Sequence, residues 1–462
     1  MITLHYSNAM TSFVGPEGLT DEALQGAIVR TGPLCERVAK ERAAGKYPFA
    51  DLPYAEEAIA KVERFAEERR AAFRNIVHLG IGGSALGPLA LQSALRPRFY
   101  NMLGVKDREF CPRVFFLDNV DPEETRELLE FCAPKETLYH IVTKSGETVE
   151  TVAAFMLAID RLKRAAGDKF REHVVVTTGA RGLLRSWADR EKVATFDIPE
   201  GVGGRFSVFT PVGLLPAALM GVPLRQLMSG AEMVDAVCMR IDPKTNVAYL
   251  LALVAYLLDT SRRKTMHVVM PYARALRDVA DWFRQLWAES LGKKHSVDGK
   301  VVMVGPTPVL ALGATDQHSQ IQLYTEGPNN KFVLFMAPDK WRHDETLPEG
   351  LLPELSWLAG KKLSELLEAE RAGTEASLTS AGRPNAFLEL QDLSPRSIGG
   401  LLHLLEMATV FAGHLYNVNP FDQPGVEHGK KAAFALLGRK GYEELRTKLE
   451  SGRRDRTKYV VK

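Results

Sequence analysis

The chain of 462 residues is long enough to bury a large core and to form two or three domains. Hydrophobic residues make up 45% and charged residues 25%, which is ordinary for a globular protein and argues against a disordered or fibrous one. The net charge of +2 gives no general attraction to nucleic acid or to a membrane surface, so an anionic ligand must be held by a local arrangement.

Four widely spaced cysteines, Cys35, Cys111, Cys132 and Cys238, form no CxxC pair. Their spacing disfavours a disulfide framework and a structural zinc site, and it predicts a reducing, cytoplasmic location. No secretory signal is recognised at the N-terminus. Residues 207–224 carry no charge, but prolines and glycines interrupt them, so we expect buried core and not a membrane span.

Residues 1–70 are rich in Ala, Glu, Lys and Arg and contain no strand-like apolar run, which predicts an N-terminal helical arm. Short apolar runs then alternate with helical stretches, as in a parallel sheet flanked by helices. The predicted strands of this first series are 75–79, 113–117, 138–142, 173–177 and 194–198.

A second series starts with an apolar helix at 246–258 and continues with predicted strands at 266–270, 301–304 and 332–336. The predicted divisions are the arm at 1–70, a first α/β domain at 71–235, a second at 236–440 and a C-terminal tail at 441–462. Ligands of such sheets bind beyond the carboxyl ends of the strands.

The first predicted strand runs into a glycine-rich turn, residues 79–87, which lets backbone amides approach an anion at a helix N-terminus. Gly80, Gly82 and Ala85 also fit a dinucleotide-binding pattern, and Asp118 closes the next strand where a ribose-binding acid would sit. By itself the turn leaves three interpretations open: a phosphate cradle, a dinucleotide site or a tight turn without a ligand.

A second loop, Lys144-Ser145-Gly146-Glu147-Thr148, follows the third strand and precedes an apolar helix. Hydroxyl groups and free helix amides suit a phosphate monoester, although Ser145 and Thr148 alone would more often be helix caps. Two such loops on one sheet favour the phosphate, and a dinucleotide enzyme does not need the second one.

Two further segments offer charged groups for catalysis. Three glycines precede Arg205, so its guanidinium can be aimed into a cleft to stabilise an oxyanion, although a surface arginine would have the same sequence. On the predicted helix at 275–291, Gln285 and Glu289 lie opposite the apolar stripe, and Trp282 shares their face. This pattern predicts that Glu289 borders a partly covered pocket, where it can act as a general base.

The remaining candidates carry little signal by themselves. His318 is one of 11 histidines, and a lone histidine is more often structural or exposed than catalytic. Lys430 falls in the second turn of a helix that begins at Pro424, and a surface pair of Glu427 with Lys431 explains that segment equally well.

Taken together, four motifs resemble the glucose-6-phosphate isomerase family: Gly-Ile-Gly-Gly-Ser at 80–84, Lys-Ser-Gly-x-Thr at 144–148, Gly-Gly-Arg-Phe-Ser at 203–207 and Phe-Asp-Gln-x-Gly-Val-Glu-x-x-Lys at 421–430. The resemblance spans residues 76–437. It implies an α/β fold with two three-layer αβα sugar-isomerase domains and parallel-rich sheets. It also implies reversible conversion of glucose 6-phosphate to fructose 6-phosphate through a cis-enediolate, in glycolysis and gluconeogenesis, without metal or redox cofactor.

The resemblance implies that Lys144, Ser145 and Thr148 hold the substrate phosphate, with Gly83 and Ser84 contributing from the first turn.

The pattern Q-x-x-x-E-S matches Gln285, a substrate contact, and Glu289, the base that moves a proton between C2 and C1. Arg205 is then the group that stabilises the enediolate, and Gln423 contacts the ligand.

His318 and Lys430 match residues that assist ring opening. Family members are usually homodimers in which this histidine comes from the neighbouring subunit. The implied partners are a hexose 6-phosphate and a second copy of the chain, with no nucleic acid and no membrane.

Thr143, Phe206 and Pro424 depart from residues common in the family, and they leave sugar selectivity open, mannose 6-phosphate included. Other functions compete with the glucose 6-phosphate assignment: isomerisation of another hexose or hexosamine phosphate, non-catalytic binding of a sugar phosphate, and a nicotinamide-dependent dehydrogenase.

Overall fold

The computed structural model describes residues 2–452 and 459–461. Its strands are β1 (Ile2–His5), β2 (Asn75–Leu79), β3 (Arg113–Leu117), β4 (Thr137–Thr143), β5 (Val174–Thr178), β6 (Ala194–Asp197), β7 (Met266–Pro271), β8 (Lys293–His295), β9 (Val301–Val304), β10 (Thr307–Leu310), β11 (Lys331–Pro338) and β12 (Asn385–Leu390). Its helices are α1 (Thr11–Val14), α2 (Asp21–Thr31), α3 (Pro33–Ala43), α4 (Glu56–Arg69), α5 (Leu86–Leu95), α6 (Pro122–Phe131), α7 (Val149–Ala166), α8 (Leu183–Glu191), α9 (Pro211–Leu219), α10 (Leu224–Cys238), α11 (Val247–Arg262), α12 (Arg277–Leu291), α13 (Ile321–Glu326), α14 (Leu363–Ser380), α15 (Pro395–Leu415), α16 (Glu427–Leu436) and α17 (Glu443–Ser451).

The first sheet has the strand order β3-β2-β4-β5-β6, and all of its pairs are parallel. Every residue of β2, β4 and β5 is buried, because helices cover both faces of a sheet of this kind. The predicted strands of the first series are all present, with shifts of one residue at some ends. Local apolar runs were sufficient to find them.

The second sheet has the order β1-β12-β11-β7-β10, in which only β1 runs antiparallel to its neighbour. The α/β fold class with parallel-rich sheets is therefore confirmed. Strands β10 and β12 of this sheet were not predicted from the sequence. Their apolar runs are interrupted by the partly buried Pro308 and Glu389.

Two strand predictions need correction. The arm was expected to lack strands, but Ile2–His5 forms β1 and pairs with β12 near the other end of the chain, which no local pattern reveals. The segment Val301–Val304 is a strand, as predicted, but it pairs with β8 in a separate two-stranded sheet. Its first three residues are exposed.

The predicted domain boundary between residues 235 and 236 falls within helix α10, which packs along α15. Gly230 of α10 and Gly399 of α15 permit this contact, since a Cβ added to Gly230 would lie 1.8 Å from the Arg396 carbonyl oxygen. The two helices thus form one buried layer, and the division into domains remains a prediction.

The uncharged segment at 207–224 is largely buried, as expected, and every residue of α9 within it is buried. Among the residues that the structure describes, α15 is the one helix long and apolar enough to cross a membrane by length and composition, and 89% of its apolar window is buried inside the protein. A core helix of a globular protein passes the same test. The four cysteines are free and buried, which agrees with the prediction that they form no disulfide.

Candidate functional site

Parallel pairing of β2 with β4 places the two predicted phosphate loops side by side at the carboxyl edge of the first sheet. The turn after β2 packs backbone to backbone against the loop that carries Arg205. A Cβ added to Gly83 would lie 2.3 Å from the carbonyl carbon of Gly204, so only glycine fits there. The glycine turn therefore fixes the position of the arginine loop.

A buried chain of hydrogen bonds supports this turn from below. Nε2 of His78 donates to the carbonyl oxygen of Ser84 at 2.7 Å, which leaves Nδ1 of His78 as an acceptor for Nδ1–H of His140 at 3.1 Å. Nε2 of His140 then accepts from the hydroxyl of Thr177 at 2.8 Å. Burial lowers the pKa of His78 to about 4, and burial together with the neighbouring His78 ring holds the pKa of His140 well below its ordinary value. Both rings are neutral at pH 7.

The second loop is held by contacts other than helix capping. Thr148 occupies the N-cap position of α7 without capping it, and its hydroxyl lies 2.8 Å from that of Thr143. The hydroxyl of Ser145 accepts from the backbone amide of Glu147 at 3.2 Å. Lys144 donates to the carbonyl oxygen of Val202 at 2.8 Å, which links this loop to the segment before Arg205.

The glutamate at the C-terminal end of α12 meets the arginine loop directly. Oε2 of Glu289 accepts from Nη1 of Arg205 at 3.2 Å, and Oε1 accepts from the side-chain amide of Gln285 at 3.0 Å. The side chain of Glu289 is 33% exposed, whereas that of Arg205 is 2% exposed. Trp282, which the sequence placed on the same helix face, is buried.

All five N–H groups of Arg205 have acceptors. Besides Glu289, Nη1 donates to Oε1 of Gln423 at 2.9 Å, and Nε donates to the hydroxyl of Ser290 at 2.8 Å. Nη2 donates to the carbonyl oxygens of Pro420 and Asp422. Burial lowers the pKa of Arg205 and the Glu289 carboxylate opposes that shift, so a charged guanidinium is kept at the centre of the site.

His318 and Lys430 lie apart from these groups. His318 is exposed at the end of a short 3₁₀ helix, Thr315–His318, which follows β10. Within the described residues, no hydrogen bond or ion pair connects its ring to Glu289 or Arg205. Strands β7 and β10 are parallel, so the segment after β10 that carries His318 lies at the carboxyl edge of the second sheet. Helix α12 starts at the same edge, where β7 ends, and runs back along the sheet. Glu289, near the end of α12, is therefore at the opposite edge from His318 of the same chain.

Lys430 lies near the start of α16, and its ammonium is 3.3 Å from Oε1 of Glu427, with both side chains 56% exposed. The alternative pairing of Glu427 with Lys431 does not form. The α-helix was predicted to begin at Pro424, but a 3₁₀ turn, Pro424–Val426, precedes it and α16 begins at Glu427, so Lys430 falls in the first turn of α16 and not in the second.

The comparisons with known proteins agree with the geometry. A family model described as phosphoglucose isomerase matches residues 55–452. The chain belongs to the phosphoglucose isomerase family. The glucose-6-phosphate isomerase of Carboxydothermus hydrogenoformans is 42% identical over 449 residues, covering 96% of each chain. That of Rubrobacter xylanophilus is 43% identical over 402 residues, covering 85% of this chain and 90% of the relative.

Solved structures of other proteins share the fold of this phosphoglucose isomerase family member. A hypothetical protein from Thermus thermophilus superposes with a TM-score of 0.82 at 37% identity, covering 95% of this chain and 100% of that one. A glucose-6-phosphate isomerase from Chlamydia trachomatis superposes with a TM-score of 0.79 at 24% identity, covering 95% and 88% respectively.

Lys293 is a site residue that the sequence analysis missed. Its side chain is 4% exposed, and its ammonium donates to the carbonyl oxygens of Glu289 and Asp422. It therefore ties the end of the base-bearing helix to the segment that contacts Arg205. Burial, followed by the nearby Arg205 charge, lowers the pKa of Lys293. The only sequence signal was its position four residues after Glu289, one helical turn further on.

Among residues 2–452 and 459–461 there is no group of three or more His, Cys, Asp or Glu side chains that could hold a metal ion. The site described above offers cationic and hydroxyl donors in place of metal ligands, a composition suited to an anionic substrate.

The buried histidine chain predicts a specific loss of stability in acid. The pKa of His78 is about 4 in the folded protein and 6.5 when unperturbed, so the unfolded state binds the extra proton between these values. Lowering the pH from 7 to 5 should therefore cost about 2 kcal/mol of unfolding free energy through this ring alone. In His78→Gln, urea unfolding at the two pH values should show a smaller difference than in the wild type.

The exposed His295 provides the matched control, because His295→Gln should keep the full pH dependence of the wild type. An equal loss of stability in His78→Gln and wild type between pH 7 and pH 5 would contradict the role of the buried ring.

Proposed function

We propose that this protein interconverts glucose 6-phosphate and fructose 6-phosphate by proton transfer, without a metal or redox cofactor, in the cytoplasm. The observation that carries the proposal is the ion pair of Glu289 with the buried Arg205, at 3.2 Å, beside two phosphate-type loops. A base and a fixed cation next to an anion cradle are what the formation of an enediolate from a phosphorylated sugar needs.

The phosphate of the substrate binds between the two loops at the edge of the first sheet. Gly83 and Ser84 supply backbone amides and a hydroxyl, and Lys144, Ser145 and Thr148 supply charge and hydroxyls. Both loops border the segment before Arg205, through the Gly83–Gly204 contact and the bond from Lys144 to Val202. Phosphate held at this edge positions the reacting carbons some distance away, toward Glu289.

Glu289 removes the proton from C2 of the open-chain aldose, and the electron pair of that C–H bond forms the C1–C2 double bond of a cis-enediolate. The carbonyl electron pair of C1 moves to O1 in this step. The same carboxylic acid then returns the proton to C1 while the hydroxyl proton of O2 passes to O1, so that C2 becomes the carbonyl carbon of the ketose. Gln285 donates to Oε1 of this carboxylate at 3.0 Å and Arg205 donates to Oε2 at 3.2 Å, so both oxygens of the base are held in position.

Arg205 stabilises the negative charge that develops on the enediolate oxygens. Since all of its N–H groups are occupied, the substrate must replace one acceptor, and the neutral side-chain amide of Gln423 is the weakest ligand on Nη1. The hydrogen bond from Arg205 to the substrate oxygen becomes stronger as negative charge develops on that oxygen in the transition state. This difference lowers the activation barrier.

His318 and Lys430 assist the opening of the cyclic sugar. The placement of His318 at the opposite edge of the second sheet from Glu289 supports a homodimer in which each subunit lends this histidine to the site of the other. For Lys430 the proposal requires α16 to reorient about the turn after Gln423, because its ammonium now lies in solvent beside Glu427.

A mixed dimer tests the shared histidine. Glu289→Gln and His318→Asn subunits, each inactive as a homodimer with the cyclic substrate, are co-expressed with different affinity tags and purified as the heterodimer. If His318 acts across the interface, one site of the pair is fully intact and the heterodimer should recover about half of the wild-type kcat. If His318 acted within its own chain, both sites would carry one change and no activity would return.

The function itself is tested with fructose 6-phosphate as substrate and enzymatic detection of glucose 6-phosphate, with and without a chelator. We expect turnover that does not change when the chelator is added. Absence of turnover would overturn the proposed activity, and loss of turnover with the chelator would overturn the metal-free mechanism. Mannose 6-phosphate in the same assay measures selectivity at C2.

A further inference from the structure

A second basic cavity lies away from the proposed catalytic site. It has a volume of about 420 Å³ and is formed by the C-terminal end of α5, the start of α12 and the loop after β11. The residues with ionisable side chains that line it are Arg96, Arg98, Arg274, Arg342, His343 and Asp278. Four guanidinium groups therefore face one carboxylate.

The positive charge of this cavity is poorly compensated by the protein. Nε and Nη2 of Arg96 are buried and have no hydrogen-bond partner. Within the part of the chain that the structure describes, the guanidinium groups of Arg98 and Arg274 likewise donate to no acceptor and form no ion pair. The single carboxylate, Asp278, accepts from Arg277 at 2.7 Å. Arg342 uses only Nη2, on two backbone carbonyl oxygens, and its other N–H groups remain available.

The arginines are also close enough to repel one another. Partial burial, and next the neighbouring Arg98, lower the pKa of Arg274. Burial lowers the pKa of Arg342, where Asp392 opposes the shift and Arg96 adds to it. Like charges that have been brought together without acceptors destabilise the free protein, and a bound anion would remove that repulsion.

Within one chain, the cavity is distinct from the catalytic site although the same two helices reach both. Asp278 at the cavity and Glu289 at the catalytic site are eleven residues apart on α12, which corresponds to about 16 Å along the helix axis. Similarly, α5 begins after the glycine turn and ends just before Arg96. A phosphate held by Gly83 and Lys144 therefore cannot also contact this cavity.

We propose that this cavity binds a small phosphorylated anion at a site separate from catalysis. Guanidinium groups bind phosphate oxygens in pairs of parallel hydrogen bonds, and several converge here. The volume suits a ligand the size of a sugar phosphate or a diphosphate, and the apolar side chains of Leu89, Trp341 and Leu393 complete the wall. The acidic surface of another macromolecule is the alternative occupant, and it is an outcome of the test.

Calorimetric titration of the full-length protein with inorganic pyrophosphate tests the proposal. The double variant Arg98→Gln/Arg274→Gln changes two exposed residues, so the fold should persist. The dissociation constant of this variant for pyrophosphate should be at least tenfold higher than that of the wild type. Its kcat/KM for fructose 6-phosphate, measured without pyrophosphate, should stay within twofold of the wild type. Arg96→Gln, which changes the partly buried member, should weaken binding in the same direction.

Two controls separate this site from other sources of binding. The control variant Arg126→Gln/Arg164→Gln removes two positive charges as well, from exposed side chains on helices α6 and α7. It should bind pyrophosphate as the wild type does. Lys144→Ala weakens the proposed catalytic phosphate site but should retain the binding that depends on Arg98 and Arg274. The readout needs no isomerase activity, so failure of the proposed function would leave the test valid.

Two results would overturn the proposal. The first is a wild-type protein that binds no pyrophosphate, and the second is an Arg98→Gln/Arg274→Gln variant that binds it unchanged. If, in the second case, the variant also shifts from dimer to monomer in sedimentation, the arginines would be assigned to contact with an acidic surface of a second copy.

Discussion

Glu289→Gln is expected to lower kcat for the conversion of fructose 6-phosphate by about 100–10,000-fold, with little change in KM. Glutamine is nearly the same size and can keep a hydrogen bond with Gln285, but it cannot accept the C2 or C1 proton. Substrate binding relies on the phosphate loops, which this substitution does not touch. Steady-state kinetics give both constants, and exchange of the C2 proton with solvent deuterium reports the proton transfer directly.

Asp281→Asn is the matched control for this experiment, because Asp281 lies on the same helix and forms an ion pair with Arg284 at 2.6 Å, away from the site. It should leave kcat unchanged. A Glu289→Gln enzyme that retains more than a tenth of the wild-type kcat would exclude Glu289 as the base.

Arg205→Lys should reduce kcat/KM by about 100–1,000-fold and also destabilise the fold. Lysine keeps the positive charge but cannot reproduce the planar group that binds Glu289, Ser290 and Gln423 together. The buried carbonyl oxygen of Pro420 would also lose its donor, which costs about 1–3 kcal/mol, whereas that of Asp422 keeps the bond from Lys293. Kinetics and thermal unfolding of the same preparation measure the two effects.

Arg108→Lys separates the structural from the catalytic part of this prediction. Arg108 is a second buried arginine, and it donates to the backbone carbonyl oxygens of Cys111 and Leu103 far from the site. Its replacement should lower the unfolding temperature but leave kcat/KM intact. If Arg205→Lys behaved in the same way, Arg205 would be a structural residue only.

Local signals in the sequence were sufficient for most of the first sheet and for the loops at its edge. The strands β2 and β3 were predicted at their observed bounds, because buried parallel strands are short apolar runs between turns. The second sheet was predicted less completely. Its edge strand β1 comes from the opposite end of the chain, and β12 pairs with it through contacts that are remote in sequence.

The distinction is also visible within the candidate site. The sequence predicted that Gln285 and Glu289 share one helix face, and a hydrogen bond joins these two side chains in the structure. The burial of Lys293 could not be predicted, because a lysine four residues after a glutamate usually forms a solvent-exposed ion pair with it. Likewise, no pattern brings the four arginines of the second cavity together, since they come from three separate segments.

The sequence by itself determined the α/β class, the glycine turn, the hydroxyl-rich loop, and the candidate base and arginine. These follow from interactions between residues within a few positions of one another, and a local pattern records such interactions. Only the tertiary structure decided that Arg205 and Glu289, 84 residues apart, form an ion pair, and that His318 lies at the opposite edge of the second sheet from that pair. Contacts of this kind depend on how whole helices and sheets pack, because burial and register set them and the neighbouring residues do not.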